Sequence, residues 1–322
     1  MSLRVFVSRD LPPGPLDALR AAGAEVSVHP HDRPATRAEL LAGVAEADAL
    51  LSQLVDAVDA ELLAAAPRLR LVANYAVGYD NVDVAVASAR GVAVSNTPGV
   101  LSETTAEHTL ALILALTRRV VEADAYVRAG RWTGWSPQLL LGTGLNGKTL
   151  GILGLGRIGR AVARRARAFG VNLLYTGRTQ RAPAESEGAS WVPLEELLER
   201  ADVLTIHCPL NDQTRHLLDA ERLRLLRPSA YLVNMARGEV VHEAALVEAL
   251  EAGRLAGAAL DVFEREPEVH PGLIGRPDVV LAPHLGSATV ETRTAMAQIA
   301  VDNVLDLLAG EPPRTCVNPE VL

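Results

Sequence analysis

Three short polar segments carry the side chains with the clearest chemistry. Arg237 lies in Val-Asn-Met-Ala-Arg-Gly, Glu266 in Val-Phe-Glu-Arg-Glu-Pro, and His284 in Ala-Pro-His-Leu-Gly. An arginine can hold a carboxylate in a planar two-point contact, and a histidine can donate the proton that a carbonyl oxygen needs as hydride arrives. A carboxylate beside that histidine would hold its ring and favour its protonated form. Arg237 or Glu266 alone is more often a surface charge and His284 alone more often a structural residue, but together they predict reduction of a 2-keto acid.

A glycine-rich turn supplies a second chemical element. The run Gly154-Leu155-Gly156-Arg157-Ile158-Gly159 follows an apolar stretch at 150–153 and precedes a helical stretch that ends near residue 169. In a dinucleotide fingerprint, the first glycine permits a tight turn, the second lets the backbone approach a pyrophosphate, and the third lets the helix pack on the strand. The pyrophosphate then faces the helix N-terminus. This context favours a dinucleotide site over a purely structural turn.

The segment after the next predicted strand bears on which dinucleotide is bound. In NAD-binding proteins an Asp or Glu about 20 residues after the glycines binds the ribose hydroxyls. Gly177 occupies that place here, while Arg178, Thr179 and Arg181 offer donors suited to a 2'-phosphate. We therefore expect NADP(H) as the preferred cofactor, with NAD(H) possible. A solvated basic loop is the alternative interpretation.

These segments need a scaffold that brings strand ends together. Short β-branched or leucine-rich runs alternate with alanine-rich stretches, which is typical of βα units around parallel sheets. The predicted strands are 4–8, 25–29, 49–53, 69–74 and 92–95, then 149–153, 172–175, 203–207, 230–234, 256–261 and 279–282. Ligands of such sheets bind at the carboxyl ends of the strands. The expected fold is α/β, with two Rossmann-like domains and parallel sheets, the first flavodoxin-like and the second an inserted dinucleotide-binding domain.

Two helices set the expected domain boundaries. One has Thr104 as its N-cap, with Glu107 three residues later, and is predicted to run without a break to Gly130. The other, at 291–309, returns the chain to the first domain. The predicted domains are therefore 1–98 with 290–322 as the substrate domain and 99–289 as the NAD(P)-binding domain.

Composition excludes several classes of function. The 322 residues carry a net charge of -8 with both signs scattered, so we expect no nucleic-acid partner. Cys208 and Cys316 are too few for a disulfide framework or a cysteine-based metal site, and no metal site is predicted. The longest apolar stretch, at 110–116, is far shorter than the roughly 20 residues of a membrane span. Without a signal-like start, the chain is expected to be cytoplasmic and away from membranes.

The catalytic segments resemble the arginine, glutamate and histidine motifs of the D-isomer-specific 2-hydroxyacid dehydrogenases, and the resemblance covers nearly the whole chain. It implies that Arg237 binds substrate, that Glu266 orients His284, and that His284 is both a substrate contact and the proton donor. Val-Gly-Tyr-Asp-Asn-Val-Asp, at 77–83, resembles the family's substrate loop. The backbone amides of Val77 and Gly78 would bind the substrate carboxylate.

The same resemblance implies most of the cofactor contacts. Residues 102–108 resemble the segment that contacts the nicotinamide, and Asp261 would hold its carboxamide. Pro209 and Thr214 would line the cofactor's path. The predicted cofactor contacts are Thr105, Gly154, Gly156, Arg157, Ile158, Gly159, Arg178, Thr179, Arg181, Pro209, Thr214, Met235, Ala236, Asp261 and Gly286.

Within the family, Arg178 and the run Gly-Arg-Trp-Thr-Gly-Trp at 130–135 are most similar to glyoxylate/hydroxypyruvate reductases. That similarity implies a homodimer formed through an arm at 99–150, with Trp135 bordering the partner's active site and helping to select small substrates. Simple packing of both tryptophans in the interface is the alternative. The implied reaction is NADPH-dependent reduction of glyoxylate to glycolate or of hydroxypyruvate to D-glycerate.

Two other interpretations stay open at this point. The first is another reaction on the same scaffold, such as formate or phosphite oxidation or NAD-linked phosphoglycerate or D-lactate chemistry, but motifs for formate and a regulatory extension are not found. The second is a dinucleotide-sensing corepressor-like protein, against which Gly177 and the short C-terminus argue. His207 and His216 lie near the segment of Pro209 and Thr214, but neither has partners of the kind that bind a metal, and both are interpreted as structural.

Overall fold

The computed structural model describes residues 2–322, which alternate between strands and helices. The strands are β1 (Arg4–Val7), β2 (Glu25–Val28), β3 (Ala49–Ser52), β4 (Leu71–Asn74), β5 (Ala93–Ser95), β6 (Thr149–Leu153), β7 (Asn172–Thr176), β8 (Ser190–Trp191), β9 (Val203–Ile206), β10 (Tyr231–Asn234), β11 (Gly257–Leu260) and β12 (Val279–Leu281). The helices are α1 (Pro15–Ala21), α2 (Arg37–Val44), α3 (Ala60–Ala65), α4 (Val84–Ala89), α5 (Ser102–Thr117), α6 (Val120–Arg128), α7 (Arg157–Ala166), α8 (Leu194–Arg200), α9 (Ala220–Leu223), α10 (Glu243–Glu251) and α11 (Val290–Ala309). The predicted α/β class is confirmed.

The chain divides into two compact units. One comprises the residues up to Leu101 together with Ala288–Leu322, and the other comprises Ser102–Ser287. In the first unit the parallel strand order is β2-β1-β3-β4-β5, the flavodoxin-like order. Strands β3 and β4 are buried at every position because helices cover both faces of the sheet. Helix α11 packs on α1 and β4, so the end of the chain completes the core of this unit.

The second unit is built on a longer parallel sheet in the order β12-β11-β10-β9-β6-β7-β8. The order reverses beside β6, which pairs with β7 on one side and β9 on the other. Such a reversal leaves a crevice at the carboxyl ends of the two central strands, where ligands of open α/β sheets bind. Two apolar clusters, one on each face, cover this sheet, which explains why its central strands are almost continuously apolar.

The second sheet has one strand more than the six predicted, counted over residues 2–322. The additional strand, β8, contains only Ser190 and Trp191, and both side chains are exposed. A two-residue edge strand has no apolar run or alternation from which it could be predicted.

The helix predicted to run unbroken to Gly130 is two helices. Helix α5 begins at Ser102, two residues before the predicted N-cap, and ends at Thr117. Arg119 has φ of 54°, a left-handed conformation that ends one helix and starts the next, and its guanidinium bonds Glu122 at 2.7 Å. No glycine or proline marks the break, so the prediction of a single helix was wrong. By contrast, α11 begins one residue before the predicted start and ends at the predicted Ala309.

No helix within residues 2–322 combines the length and the apolar character that a membrane crossing requires.

Candidate active site

The glycine-rich turn between β6 and α7 has the geometry of a dinucleotide site. Gly154 has φ of +99°, and a Cβ there would lie 2.8 Å from the backbone nitrogen of Cys208, at the end of the neighbouring strand β9. A Cβ on Gly159 would overlap the carbonyl oxygen of Gly154, so only glycine lets α7 pack this closely. A Cβ on Gly156 would meet no heavy atom within 4 Å, which leaves open space where a pyrophosphate belongs.

The start of α7 can receive an anion. Its N-cap is Gly156, which has no side chain to bond the first amides of the helix. Uncapped N–H groups and the helix dipole both favour a phosphate at this position. Arg157 is exposed and Ile158 is half-buried at the same turn. The residues present therefore fit a dinucleotide.

The loop after β7 leaves room where NAD-binding proteins carry a carboxylate. A Cβ on Gly177 would meet no heavy atom within 4 Å. Arg178, Thr179 and Arg181 follow it with exposed side chains. The amide of Arg181 donates to the buried Tyr175 hydroxyl at 2.6 Å, which fixes the backbone of the loop. The arrangement can hold a 2'-phosphate.

The loop after β9 runs beside the glycine turn. The Thr214 hydroxyl donates to the carbonyl of Pro209 at 2.7 Å and accepts the amide of Asn211, so the two predicted contacts of this loop are linked to each other. His207 bonds Thr205 at 2.9 Å, and burial lowers the pKa of His207 to about 3. His207 is therefore uncharged near neutral pH, and its structural role stays an interpretation.

The turn that carries Arg237 is fixed by its own neighbours. Buried Asn234, the last residue of β10, accepts the amide of Ala236 at 3.1 Å and donates to the carbonyl of Arg237 at 2.9 Å. The Arg237 guanidinium is half-buried and donates to the Ala236 carbonyl, and Met235 is buried beneath the turn. Asn234 therefore determines the conformation in which the arginine is presented.

Glu266 and His284 lie in direct contact. The two carboxylate oxygens of Glu266 are 2.9 and 3.2 Å from Nδ1 of His284, and about a quarter of each side chain is exposed. The amide of Phe263 donates to Oε1 of Glu266 at 3.2 Å and helps to hold the carboxylate. His284 has φ of 55°, and its amide donates to the carbonyl of Asp261 at 2.8 Å. Residues other than glycine adopt this conformation in only a small minority of cases, so the surrounding hydrogen bonds help to stabilise it.

Asp261 organises the neighbouring loop. Its carboxylate is buried and accepts the amides of Leu285 at 2.6 Å and Gly286 at 2.8 Å. A Cβ on Gly286 would lie 3.3 Å from that carboxylate and 3.4 Å from the Thr105 methyl group, so the structure brings these three predicted cofactor contacts together. Nε2 of His108 lies 3.3 Å from the same carboxylate. The sequence indicated His108 only as part of a matching segment, without a partner.

Val77 and Gly78 lie in the first unit, in the loop after β4. Asn96 donates to the carbonyl of Val77 at 2.8 Å, and Asn74 donates to the carbonyl of Gly78 at 2.9 Å. Both carbonyls are therefore held from the protein side, which restricts the orientation of the peptides. Their role as carboxylate contacts stays a prediction.

Trp135 and His216 lie outside the groups of contacts described above. Trp135, in the segment after α6, is 84% exposed in the single chain, so the side chain contributes little to the core of its own unit. His216, which the sequence left without an assigned contact, bonds a carboxylate: its Nε2 lies 2.7 Å from Oε1 of Glu264. The two residues are 48 positions apart, and no local pattern could have revealed the pair.

Comparison with known proteins identifies the family. The family model described as "D-isomer specific 2-hydroxyacid dehydrogenase, NAD binding domain" matches residues 110–286. A glyoxylate reductase from Pyrococcus furiosus is 47% identical over 100% of this chain and 97% of its own length. These matches cover the glycine turn and the three catalytic segments.

Solved structures of related proteins have the same fold. A protein from Thermus thermophilus has a TM-score of 0.92 and 47% identity, covering 98% of this chain and 100% of that one. An NADPH-dependent glyoxylate/hydroxypyruvate reductase from Sinorhizobium meliloti, in complex with NADP and malonate, has a TM-score of 0.87 and 37% identity, covering 98% and 97%. The chain therefore belongs to the D-isomer specific 2-hydroxyacid dehydrogenase family and is an oxidoreductase that uses a nicotinamide dinucleotide.

Proposed function

We propose that this chain reduces a small 2-keto acid, glyoxylate or hydroxypyruvate, with NADPH as the preferred hydride donor. The observation that carries the proposal is the contact between Glu266 and His284 at the same sheet edge as the glycine turn. The substrates named for the relatives from Pyrococcus furiosus and Sinorhizobium meliloti support the choice of substrate. The products would be glycolate and D-glycerate.

We assign each catalytic side chain of the second unit a separate role in the reaction. Nδ1 of His284 faces Glu266, so Nε2 is the nitrogen left to donate a proton to the substrate's carbonyl oxygen. Glu266 stabilises the charged imidazole before that proton is transferred. Arg237 offers a planar fork for the substrate carboxylate, and the amides of Val77 and Gly78 are further predicted contacts for it.

The cofactor preference rests on the loop after β7. When bound, the reduced nicotinamide supplies the hydride that reduces C2 of the substrate. The open space at Gly177 and the exposed side chains of Arg178 and Arg181 favour a ribose that carries a phosphate. Asp261 and Thr105 would contact the nicotinamide end.

The arm at 99–150 supports the proposal of a homodimer. Over the described chain, α6 has no buried residue, and Val120, Val121 and Val127 are about half exposed. Trp132 and Trp135 add large exposed surfaces in the segment that follows. Exposed apolar side chains concentrated in one segment of the chain support an interaction surface there, and a second copy is the partner that the family resemblance implies. A cytoplasmic location also stays an expectation.

A direct assay tests the proposal. The loss of reduced nicotinamide absorbance is followed with NADPH or NADH, each with glyoxylate, hydroxypyruvate and pyruvate. We expect the highest kcat/KM for NADPH with glyoxylate or hydroxypyruvate. Turnover confined to pyruvate, or an absence of turnover with every pair despite cofactor binding, would reject the proposed function.

A further inference from the structure

A second histidine–carboxylate pair uses a glutamate on the loop that carries Glu266. Nε2 of His216 is 2.7 Å from Oε1 of Glu264, and the other oxygen of Glu264 accepts the amide of Glu243 at 3.0 Å. The Glu243 carboxylate in turn accepts the amide of Glu264 at 2.6 Å. The His216 ring packs edge-on against His242, with centroids 4.8 Å apart. These four residues tie the start of α10 to the loop after β11.

Glu264 is held in its charged form. Burial by itself would raise the pKa of Glu264, but the Glu243 amide and the His216 imidazole bond the carboxylate and bring the pKa below its ordinary value. A charged acceptor makes stronger hydrogen bonds than a neutral one. The link between His216 and Glu264 is therefore among the stronger side-chain contacts in this region.

The backbone around His216 holds the segment that follows Arg237. The amide of His216 donates to the carbonyl of Glu239 at 2.6 Å, and the amide of Leu218 donates to the carbonyl of Val240 at 3.0 Å. His216 adopts φ of 49°, a left-handed conformation that turns its ring toward the loop after β11 while its amide bonds the arginine segment. One residue thus contacts both catalytic loops.

The loop after β10 and the loop after β11 also pack backbone against backbone, at Gly238 and Phe263. A Cβ on Gly238 would overlap the carbonyl group of Phe263, so the turn after Arg237 rests on the peptide between Phe263 and Glu264. The amide of Phe263, in the preceding peptide, donates to Oε1 of Glu266. A displacement of the Phe263 backbone would therefore move both the arginine turn and the catalytic carboxylate.

We propose that His216 and Glu264 are positioning residues that fix Arg237 and the Glu266–His284 pair relative to each other through the backbone of Phe263. This inference rests on the proposed function for the part that concerns turnover. Neither residue needs to touch substrate or cofactor. The pair acts by fixing the separation between the group that grips the carboxylate and the group that donates the proton.

The first test uses variants that remove the link but keep the backbone. His216→Asn loses the imidazole and tolerates the left-handed conformation better than most residues. Glu264→Gln keeps the size of the side chain and loses its charge. We expect each to lower kcat about 10- to 100-fold, because small misplacements of catalytic groups have effects of that size. Affinity for NADPH, measured by fluorescence, stays near that of the wild type.

Matched controls distinguish a positioning role from a nonspecific effect of substitution on the fold. Glu268→Gln makes the same chemical change at an exposed site on the same loop, and we expect wild-type kinetics. The double variant of His216→Asn and Glu264→Gln should be little worse than either single variant, since residues that act through one contact are not additive. Additive losses, or single variants with wild-type kcat, would overturn the proposal.

Hydrogen exchange gives a readout that does not depend on turnover. Peptides that cover 237–242 and 261–268 should exchange faster in His216→Asn, while peptides of the glycine turn keep their protection. If the wild type reduces none of the keto acids tested, the proposed function is wrong. The exchange data still decide whether His216 and Glu264 hold the two loops in place. Unchanged exchange in both peptides would overturn the positioning role.

Discussion

Oε2 of Glu266 lies 2.9 Å from Nδ1 of His284, and the amide of Phe263 holds the other oxygen of the same carboxylate. The imidazole is therefore oriented by a group that is itself fixed by the backbone. This geometry leaves Nε2 as the nitrogen that does not bond Glu266, and the proposed mechanism assigns the proton transfer to it.

His284→Ala tests the proton donor. We expect kcat to fall by about 10²- to 10⁴-fold, because the carbonyl oxygen loses its positioned acid, while NADPH still binds at the glycine turn. Steady-state kinetics and a fluorescence titration with NADPH measure the two effects. His31→Ala, at an exposed histidine of the first unit, is the control and should behave as the wild type. Near-normal turnover of His284→Ala would remove this residue from the mechanism.

Glu266→Gln keeps a hydrogen-bonding group beside His284 but removes the negative charge. The amide cannot offset the positive charge that the imidazole carries as it donates its proton, so we expect kcat to fall about 10- to 100-fold. Steady-state kinetics of both proteins measure the change. A wild-type kcat in Glu266→Gln would mean that the charge of Glu266 has no effect on the proton donor.

Arg237→Lys tests the planar grip on the substrate carboxylate. Lysine keeps the positive charge but lacks the fork, so we expect KM for the keto acid to rise and kcat to fall. Initial-rate assays at several substrate concentrations resolve the two parameters. The turn itself should persist, because Asn234 holds it through backbone groups that the substitution leaves unchanged. Wild-type values of both parameters would show that the fork is not needed.

Gly177→Asp tests the cofactor preference. The new carboxylate would enter the open space beside Arg178, repel a 2'-phosphate and accept a ribose hydroxyl instead. We expect the ratio of kcat/KM for NADPH over NADH to fall at least about tenfold, a change of about 1.4 kcal/mol. Gly177→Asn, which adds the same bulk without charge, is the control. A ratio that is equal in the two variants would show that bulk rather than charge sets the preference.

His207 makes the stability of the fold depend on pH. Its pKa is about 3 in the folded protein because of burial, against an ordinary value of 6.5. Between these values the unfolded chain binds a proton that the folded chain does not, so the free energy of unfolding falls as the pH is lowered from about 6.5 toward 3. Urea unfolding at several pH values measures the slope. His207→Asn should flatten it, and an unchanged slope would mean that other groups produce it.

Local pattern predicted most of the scaffold because the strands of both units are short apolar runs bounded by turns. The glycine turn and the segments of Arg237, Glu266 and His284 could be found because each follows such a run. The break at Arg119 could not be predicted, since it depends on a left-handed residue that is neither glycine nor asparagine. Nor could the link between His216 and Glu264, because it forms only after distant segments fold together.

The overlap that any side chain at position 238 would make with Phe263 also bears on attempts to change the substrate range of this enzyme. In a library that randomises the arginine turn, most variants would carry a side chain at position 238 that forces the Arg237 turn away from Phe263. Substitutions are better placed in segments with open space around them. Recovery of glycine at position 238 after selection would indicate that the selected variants keep the contact between the two loops.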